Sequence, residues 1–355
     1  MESMRELPPL LVRADADTLR GSGHVMRCLA LAQAWRERGG RAVFLSRCDN
    51  EVLRQRIQAA GADFVPLTTD ESPGAELDAT LSSVKSVNAS LVVLDGYDFN
   101  LDYQIALRAA GCRLMVIDDT VRLPRYETDF LLNQNLGAER LNYVCNARAC
   151  RLLGPKYAML RREFVSWRSR LHTVPEMGRK ILVTMGGSDP DNVTLKVIHA
   201  LRQLQNARLQ IRVVAGPANP HLDKLRDVAA GFPGRIELLA AVPDMAALMV
   251  WADLAISGAG STCWELACLG LPAVTLVLAE NQRSIAAELG AVGTVLNLGW
   301  HEKVPLERLA NSVDALLYSS FRRLRMSQTG RALVDGKGAD RVVFELSKRD
   351  CAKVA

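Results

Sequence analysis

Short apolar runs alternate along the chain with stretches in which apolar residues recur every three or four positions. The runs at 9–14, 41–46, 90–94, 113–117 and 130–132 predict strands. The stretches 23–38 and 51–59 predict helices, the first with Val25, Cys28, Leu29, Ala32 and Trp35 on one face. Strand and helix in alternation predict a parallel sheet with helices on both faces. The runs are almost uninterrupted by polar residues, as expected of strands covered on both sides. From 161 to 180 the pattern breaks into a polar segment with Pro175 and Gly178, the expected linker. The alternation then restarts. Strands are predicted at 180–184, 209–215, 236–239, 254–257 and 273–278. Helices are predicted at 192–204, 243–251, 262–268, 282–289, 306–317, 321–333 and in the tail from 340. The expected organisation is one doubly wound α/β domain over 1–165, a linker over 166–179, a second over 180–335, and a helix or tail over 336–355.

Bulk properties narrow the function classes. A chain of 355 residues is long for one core and suits two domains. With 49% hydrophobic and 23% charged residues it reads as soluble and globular. The net charge is only +5 and no dense basic block interleaves with aromatics, which argues against a nucleic-acid partner. No run approaches the roughly 20 apolar residues of a membrane span, and residues 1–9 lack an apolar signal core. The expectation is a cytoplasmic protein with no membrane partner, a monomer by default. The eight cysteines form no CxxC pair, and the five histidines show neither HExxH nor HxH spacing. Neither a protein-bound metal nor a cofactor is expected.

In open parallel sheets, ligands lie beyond the carboxyl ends of the strands, and domain interfaces favour small-molecule sites. Two such domains are expected to face each other across a cleft, so chemistry is sought in the loops after strands. The first, 13–24, carries Arg13, Asp15 and Gly23 as expected substrate contacts, has a second glycine at Gly21, and ends on His24 at a predicted helix start. Helix-start amides favour an anion there. They also favour a neutral imidazole, which makes His24 a candidate general base; the plainer reading is a histidine bonded to its own loop. The second, after the strand at 180–184, offers the backbone of Gly186, Gly187 and Ser188 to a phosphate. It also reads as a turn capped by Asp189 or Asp191. The third runs from Ser257 through Gly260, Ser261 and Thr262 to Glu265. Small residues and free helix-start amides make a diphosphate seat, with Glu265 one turn in as a ribose acceptor or as a first-turn acid. Asn281 and Gln282 follow another predicted strand. Tyr97 is a candidate sugar contact. Asp118 and Asp119 point to opposite faces if extended, which leaves one of them as a turn residue.

At these loops the sequence resembles the UDP-sugar hydrolase family of pseudaminic acid biosynthesis. The shared segments are RAD at 13–15, GSGHVMRCL at 21–29, NQN at 133–135, LGPKY at 153–157, GGSDP at 186–190, GSTCWE at 260–265 and AENQ at 279–282. The resemblance implies a GT-B fold, no metal, and inverting hydrolysis of UDP-2,4-diacetamido-2,4,6-trideoxy-β-L-altropyranose at its anomeric C–O bond. It puts the base on His24, uridine diphosphate contacts on Ser261, Thr262 and Glu265, and sugar contacts on Asn281 and Tyr97. Gly96 stands where many of that family carry histidine, and 17–20 also departs from the commoner run. Spore-coat polysaccharide proteins share the pattern. Three alternatives stand beside the hydrolase: a GT-B glycosyltransferase, a UDP-sugar 2-epimerase, and a nucleotide-sugar-binding protein without turnover.

Overall fold

A computed structural model describes residues 7–17, 21–68, 74–170, 173–204, 208–216, 219–232, 236–240 and 242–348. The chain divides into two compact units, 1–162 with 337–355, and 163–336. Helix α5 (Arg162–Arg168) runs through that division and occupies the start of the segment expected to be a linker. His172, in the same segment, lies outside the described residues.

The first unit is built on β1 (Leu10–Ala14), α1 (Gly23–Glu37), β2 (Ala42–Ser46), α2 (Glu51–Ala59), β3 (Asp63–Pro66), α3 (Ala75–Val87), β4 (Leu91–Asp95), α4 (Leu101–Ala109), β5 (Arg113–Ile117), β6 (Phe130–Asn133) and β7 (Cys150–Leu153). Its seven strands are parallel, in the order β3-β2-β1-β4-β5-β6-β7. Alternate side chains feed two cores, as the pleat requires. Leu10, Val12 and Val93 pack on α1 and α2, whereas Leu11, Val92 and Leu94 pack towards Val84, Tyr103 and Leu107. Asn50 and Asn100 cap α2 and α4 by accepting from Leu53 N and Tyr103 N.

The second unit contains β8 (Lys180–Thr184), α6 (Val193–Arg202), β9 (Gln210–Val214), α7 (Leu222–Ala230), β10 (Ile236–Leu239), α8 (Met245–Trp251), β11 (Leu254–Gly258), α9 (Thr262–Leu269), β12 (Ala273–Val277), α10 (Arg283–Ala291), β13 (Val295–Trp300), α11 (Leu306–Leu317) and α12 (Ser320–Leu333). Its six parallel strands run β10-β9-β8-β11-β12-β13. In each sheet the strand order reverses once, between β1 and β4 in the first and between β8 and β11 in the second. These reversals are the places where a doubly wound sheet opens a crevice for ligand.

The sequence pattern misses β3, β7 and β13, and all three are edge strands. An edge strand is not enclosed on both sides, so it needs no continuous apolar run. Asp63 and Pro66 of β3 are exposed, and β13 carries Asn297 and Gly299.

The last helix, α13 (Gly338–Ser347), returns to the first unit. Its Ala339, Val342, Val343 and Leu346 join the core around α1. Covered by the sheet on one side and α13 on the other, α1 buries Arg27, Ala30, Leu31 and Ala34 beyond the single face its periodicity predicts. Arg162 bonds both carboxylate oxygens of Asp340, at 3.1 and 2.6 Å, and ties α13 down. Leu346→Ala is expected to cost the first unit about 2–5 kcal/mol, as for a buried leucine leaving a cavity. Urea unfolding followed by probes in each unit measures this; a loss confined to the second unit contradicts the assignment of α13.

Candidate functional site

The first unit gathers its ionisable side chains at the reversal between β1 and β4. Asp95 is the last residue of β4 and pairs in register with Ala14, the last of β1. The loop after β1 turns through Gly21, whose φ of 71° suits glycine, and opens α1 with Gly23 and His24. His24 and Arg27, three residues apart, share a helix face. Both reach Asp95. His24 Nδ1 lies 2.6 Å from Asp95 Oδ1, and Arg27 holds Oδ2 through Nε at 2.6 Å and Oδ1 through Nη2 at 2.7 Å. Cys28 Sγ donates to Oδ2 at 3.4 Å.

Asp95 has no exposed surface. Burial alone would raise its pKa, but Arg27 and His24 hold it well below the usual carboxylate range. An ionised carboxylate only accepts, so Nδ1 carries a proton, and in the neutral ring the lone pair falls on Nε2. The 3.4 Å approach of Arg27 Nη2 to the same Nδ1 is then a packing contact, because two donors do not bond. The His24 side chain is 11% exposed, enough for one edge of the ring to meet a ligand. Tyr97 packs edge-on against the imidazole with centroids 5.1 Å apart. Arg122 fixes Tyr97 from outside: its guanidinium sits over the tyrosine ring at 5.0 Å and bonds the carbonyls of Gly96 and Tyr97.

The two consecutive aspartates divide as their geometry requires. Asp118 is the turn residue, accepting from Thr120 N, Val121 N and Tyr126 Oη at 2.8, 2.7 and 2.8 Å. Asp119 faces the site, taking Arg27 Nη1 at 2.8 Å and Asn135 Nδ2 at 3.1 Å. Arg13 and Asp15 are placed differently from His24. Both are buried and bonded to each other; Arg13 also reaches Glu76 at 2.6 Å, and Asp15 accepts from Arg47 N at 2.7 Å. Their mutual bonds and those to Glu76 and Arg47 brace the start of the loop.

The second unit puts small residues at its own reversal, after β8 and β11. Gly186 adopts φ 96°, and a Cβ on Gly216 would fall 2.1 Å from Gly187 O, so this turn is pressed closely onto the loop after β9. Asp189 is the cap of α6: its two carboxylate oxygens accept from Val193 N and Thr194 N at 2.8 and 2.9 Å. After β11, Gly260 and Ser261 lead into α9 without a side-chain cap. Ser261 is exposed, Thr262 and Glu265 are half-buried, and Glu265 lies in the first turn. Gln282 closes the corner: its Oε1 accepts from Leu278 N at 3.0 Å, and its Nε2 lies 3.5 Å from where a Cβ of Gly260 would be. Asn281 is exposed beside it. The corner therefore combines a helix N-terminus, a glycine that admits close approach, and amide side chains, which suits an anionic group.

Sequence reasoning gave Arg27 no role of its own; Asp95, Asp119 and Asn135 were visible only as polar residues after predicted strands, with nothing to join them to His24. The available signal was the spacing of His24 and Arg27 on one helix face. Among the described residues, no group of three or more His, Cys, Asp or Glu side chains is arranged to hold a metal ion, and no helix is long and apolar enough to cross a membrane.

The depressed Asp95 pKa makes stability depend on pH. The ionised carboxylate stabilises the fold above its unfolded pKa of about 3.9, and that contribution is lost as pH falls through the lower folded value. Asp340 acts in the same direction, lowered by its hydrogen bond from Arg162 against the opposing effect of burial. Unfolding free energy is expected to drop as pH falls from about 4 towards 2, with a shallower slope in Asp95→Asn. Equal slopes in the two proteins contradict this account.

Comparison with known proteins agrees with this architecture. Residues 181–339 match the glycosyltransferase family 28 C-terminal domain. The chain is 29% identical over 332 residues to the spore coat polysaccharide biosynthesis protein SpsG of Bacillus subtilis, covering 93% of this chain and 95% of that one. It is 29% identical over 167 residues to the UDP-N-acetylglucosamine--N-acetylmuramyl-(pentapeptide) pyrophosphoryl-undecaprenol N-acetylglucosamine transferase of Xylella fastidiosa, covering 45% of each chain. The crystal structure of Acinetobacter baumannii MurG superposes with a TM-score of 0.67 at 16% identity, covering 97% of this chain and 100% of that one. The two parallel-sheet units are built as in that structure, and this chain carries the GT-B fold.

Proposed function

We propose that the protein is a UDP-sugar hydrolase that cleaves UDP-2,4-diacetamido-2,4,6-trideoxy-β-L-altropyranose at the anomeric C–O bond with inversion. The observation that carries this reading is the 2.6 Å bond between His24 Nδ1 and the ionised Asp95, which leaves Nε2 free to accept a proton. Water attacks the anomeric carbon and gives its proton to Nε2. The C–O bond breaks with its electron pair passing to the diphosphate oxygen, and UDP leaves as an anion beside the free sugar. The uncapped start of α9 is the assigned diphosphate seat, with Ser261 and Thr262 at the phosphates and Glu265 at the ribose. Amides aimed at a leaving oxyanion reduce its need for protonation. Gly186, Gly187, Ser188 and Gly260 are assigned to the nucleotide as backbone contacts. Tyr97, Asn281 and Gln282 are assigned to the sugar. Arg13, Asp15 and Gly23 support the loop that presents His24. Nucleotide-sugar use is supported by the family 28 match and by the name of the Xylella relative.

The same family 28 match favours a second reading, in which a sugar hydroxyl replaces water and the protein is a GT-B glycosyltransferase. One experiment separates the two: a nuclear magnetic resonance time course with the diacetamido altropyranose nucleotide, following the anomeric signal and UDP. Release of UDP and free inverted sugar without an acceptor is expected. Release only on adding an acceptor assigns the transferase, and binding without release assigns a non-catalytic sugar-nucleotide protein. His24→Asn is expected to lose about 10²–10⁴-fold in turnover while keeping its affinity for UDP. Unchanged turnover removes His24 from the mechanism.

A further inference from the structure

His24 and Asp95 end a longer chain of charges. Arg27 lies between two carboxylates, bonded to Asp95 through Nε and Nη2 and to Asp119 through Nη1 at 2.8 Å. Asp119 is steered in turn by Asn135 at its Oδ1, while Asn133 Nδ2 bonds its backbone carbonyl at 3.2 Å. Arg27 and Asp95 are buried and Asp119 is nearly so. With a neutral imidazole, one guanidinium faces two carboxylates, and the cluster carries one uncompensated negative charge. Protonation of His24 brings that sum to zero.

The other groups around the ring leave the count unchanged. The Cys28 thiol is pushed up by burial and by Asp95, so it stays neutral. Tyr97 presents a ring edge. Arg122 behind Tyr97 has its own carboxylate, Asp118, at 3.5 Å.

We propose that Arg27 and Asp119 are positioning residues for His24, with two separable tasks. Arg27 grips both Asp95 oxygens and so fixes the carboxylate that orients the Nδ1 proton. Asp119 supplies the extra negative charge that stabilises the imidazolium formed when the ring takes a proton. The pair explains why a buried carboxylate and guanidinium, already balanced, are joined by a second aspartate, held by Asn135 at its carboxylate and by Asn133 at its backbone. Its effect on rate rests on the hydrolase reading; its effect on the ring does not.

The test reads two quantities, the acid limb of kcat/KM against pH and the nitrogen-15 resonance titration of the His24 ring without substrate. In Asp119→Asn both are expected to move to lower pH by roughly 0.5–1 unit, because the protonated ring loses an attracting charge. In Arg27→Gln both are expected to move to higher pH. Arg27→Lys keeps the charge but loses the two-point grip, so its limb stays in place while kcat falls. Loss of fold alone gives no opposed shifts of this kind. If Arg27→Gln does not fold, Asn135→Ala, which takes a donor from Asp119 and leaves its charge less shielded, is expected to shift the ring titration opposite to Asp119→Asn and by a smaller amount. Identical titrations in the wild type and Asp119→Asn, or shifts of the same sign in Asp119→Asn and Arg27→Gln, overturn the proposal. Absence of UDP release with the opposed ring titrations intact overturns the hydrolase reading alone.

Discussion

A carboxylate with no exposed surface stays ionised only if the protein surrounds it with cations and donors. Asp95 is in that position, and much of the first unit's site follows from it. The need for a bidentate partner fixes Arg27 on α1. Helical geometry then puts His24, one turn earlier, against the same carboxylate. The carboxylate sets the ring tautomer, and the ring presents its other nitrogen outward. Replacing any one of the three leaves an unpaired buried charge or an unoriented imidazole.

The two units solve related problems with different chemistry. Each reverses its strand order once and places its candidate loops there. The first fills the crevice with charged side chains locked to one another. The second lines its corner with glycines, a serine, a threonine, the amide side chains of Asn281 and Gln282 and the amides of a helix start. The contrast suits the proposed division between proton transfer, which needs oriented groups, and anion holding, which needs backbone that a ligand can approach. Gly187 and Gly216, packed backbone to backbone, show how tightly the second unit's turn is held.

The sequence made the central strands legible because burial on both faces demands continuous apolar runs. It hid β3, β7 and β13 because sheet edges do not make that demand. The placement of His24 at the start of α1 was readable from two glycines before an amphipathic stretch. Its partner was not, since Asp95 lies 71 residues away and only the parallel pairing of β1 with β4 brings the two strand ends together. Arg13 shows the converse. A basic residue at a strand end reads as a ligand contact, yet here it is buried and bonded to Asp15 and Glu76. Burial is a tertiary property, and no spacing rule along 13–24 distinguishes an inward arginine from an outward one. The Asp189 cap, by contrast, was visible as an acid just ahead of a helix.

The return of α13 to the first unit has a consequence for synthesis. The sheet of that unit is complete once β7 has left the ribosome, but its core still lacks Ala339, Val342, Val343 and Leu346. Those side chains arrive only after the whole second unit has been translated, a delay of roughly 10–40 s at ordinary elongation speeds. During that interval the flank of α1 that α13 covers is bare, and the nascent chain carries an apolar groove until that helix arrives.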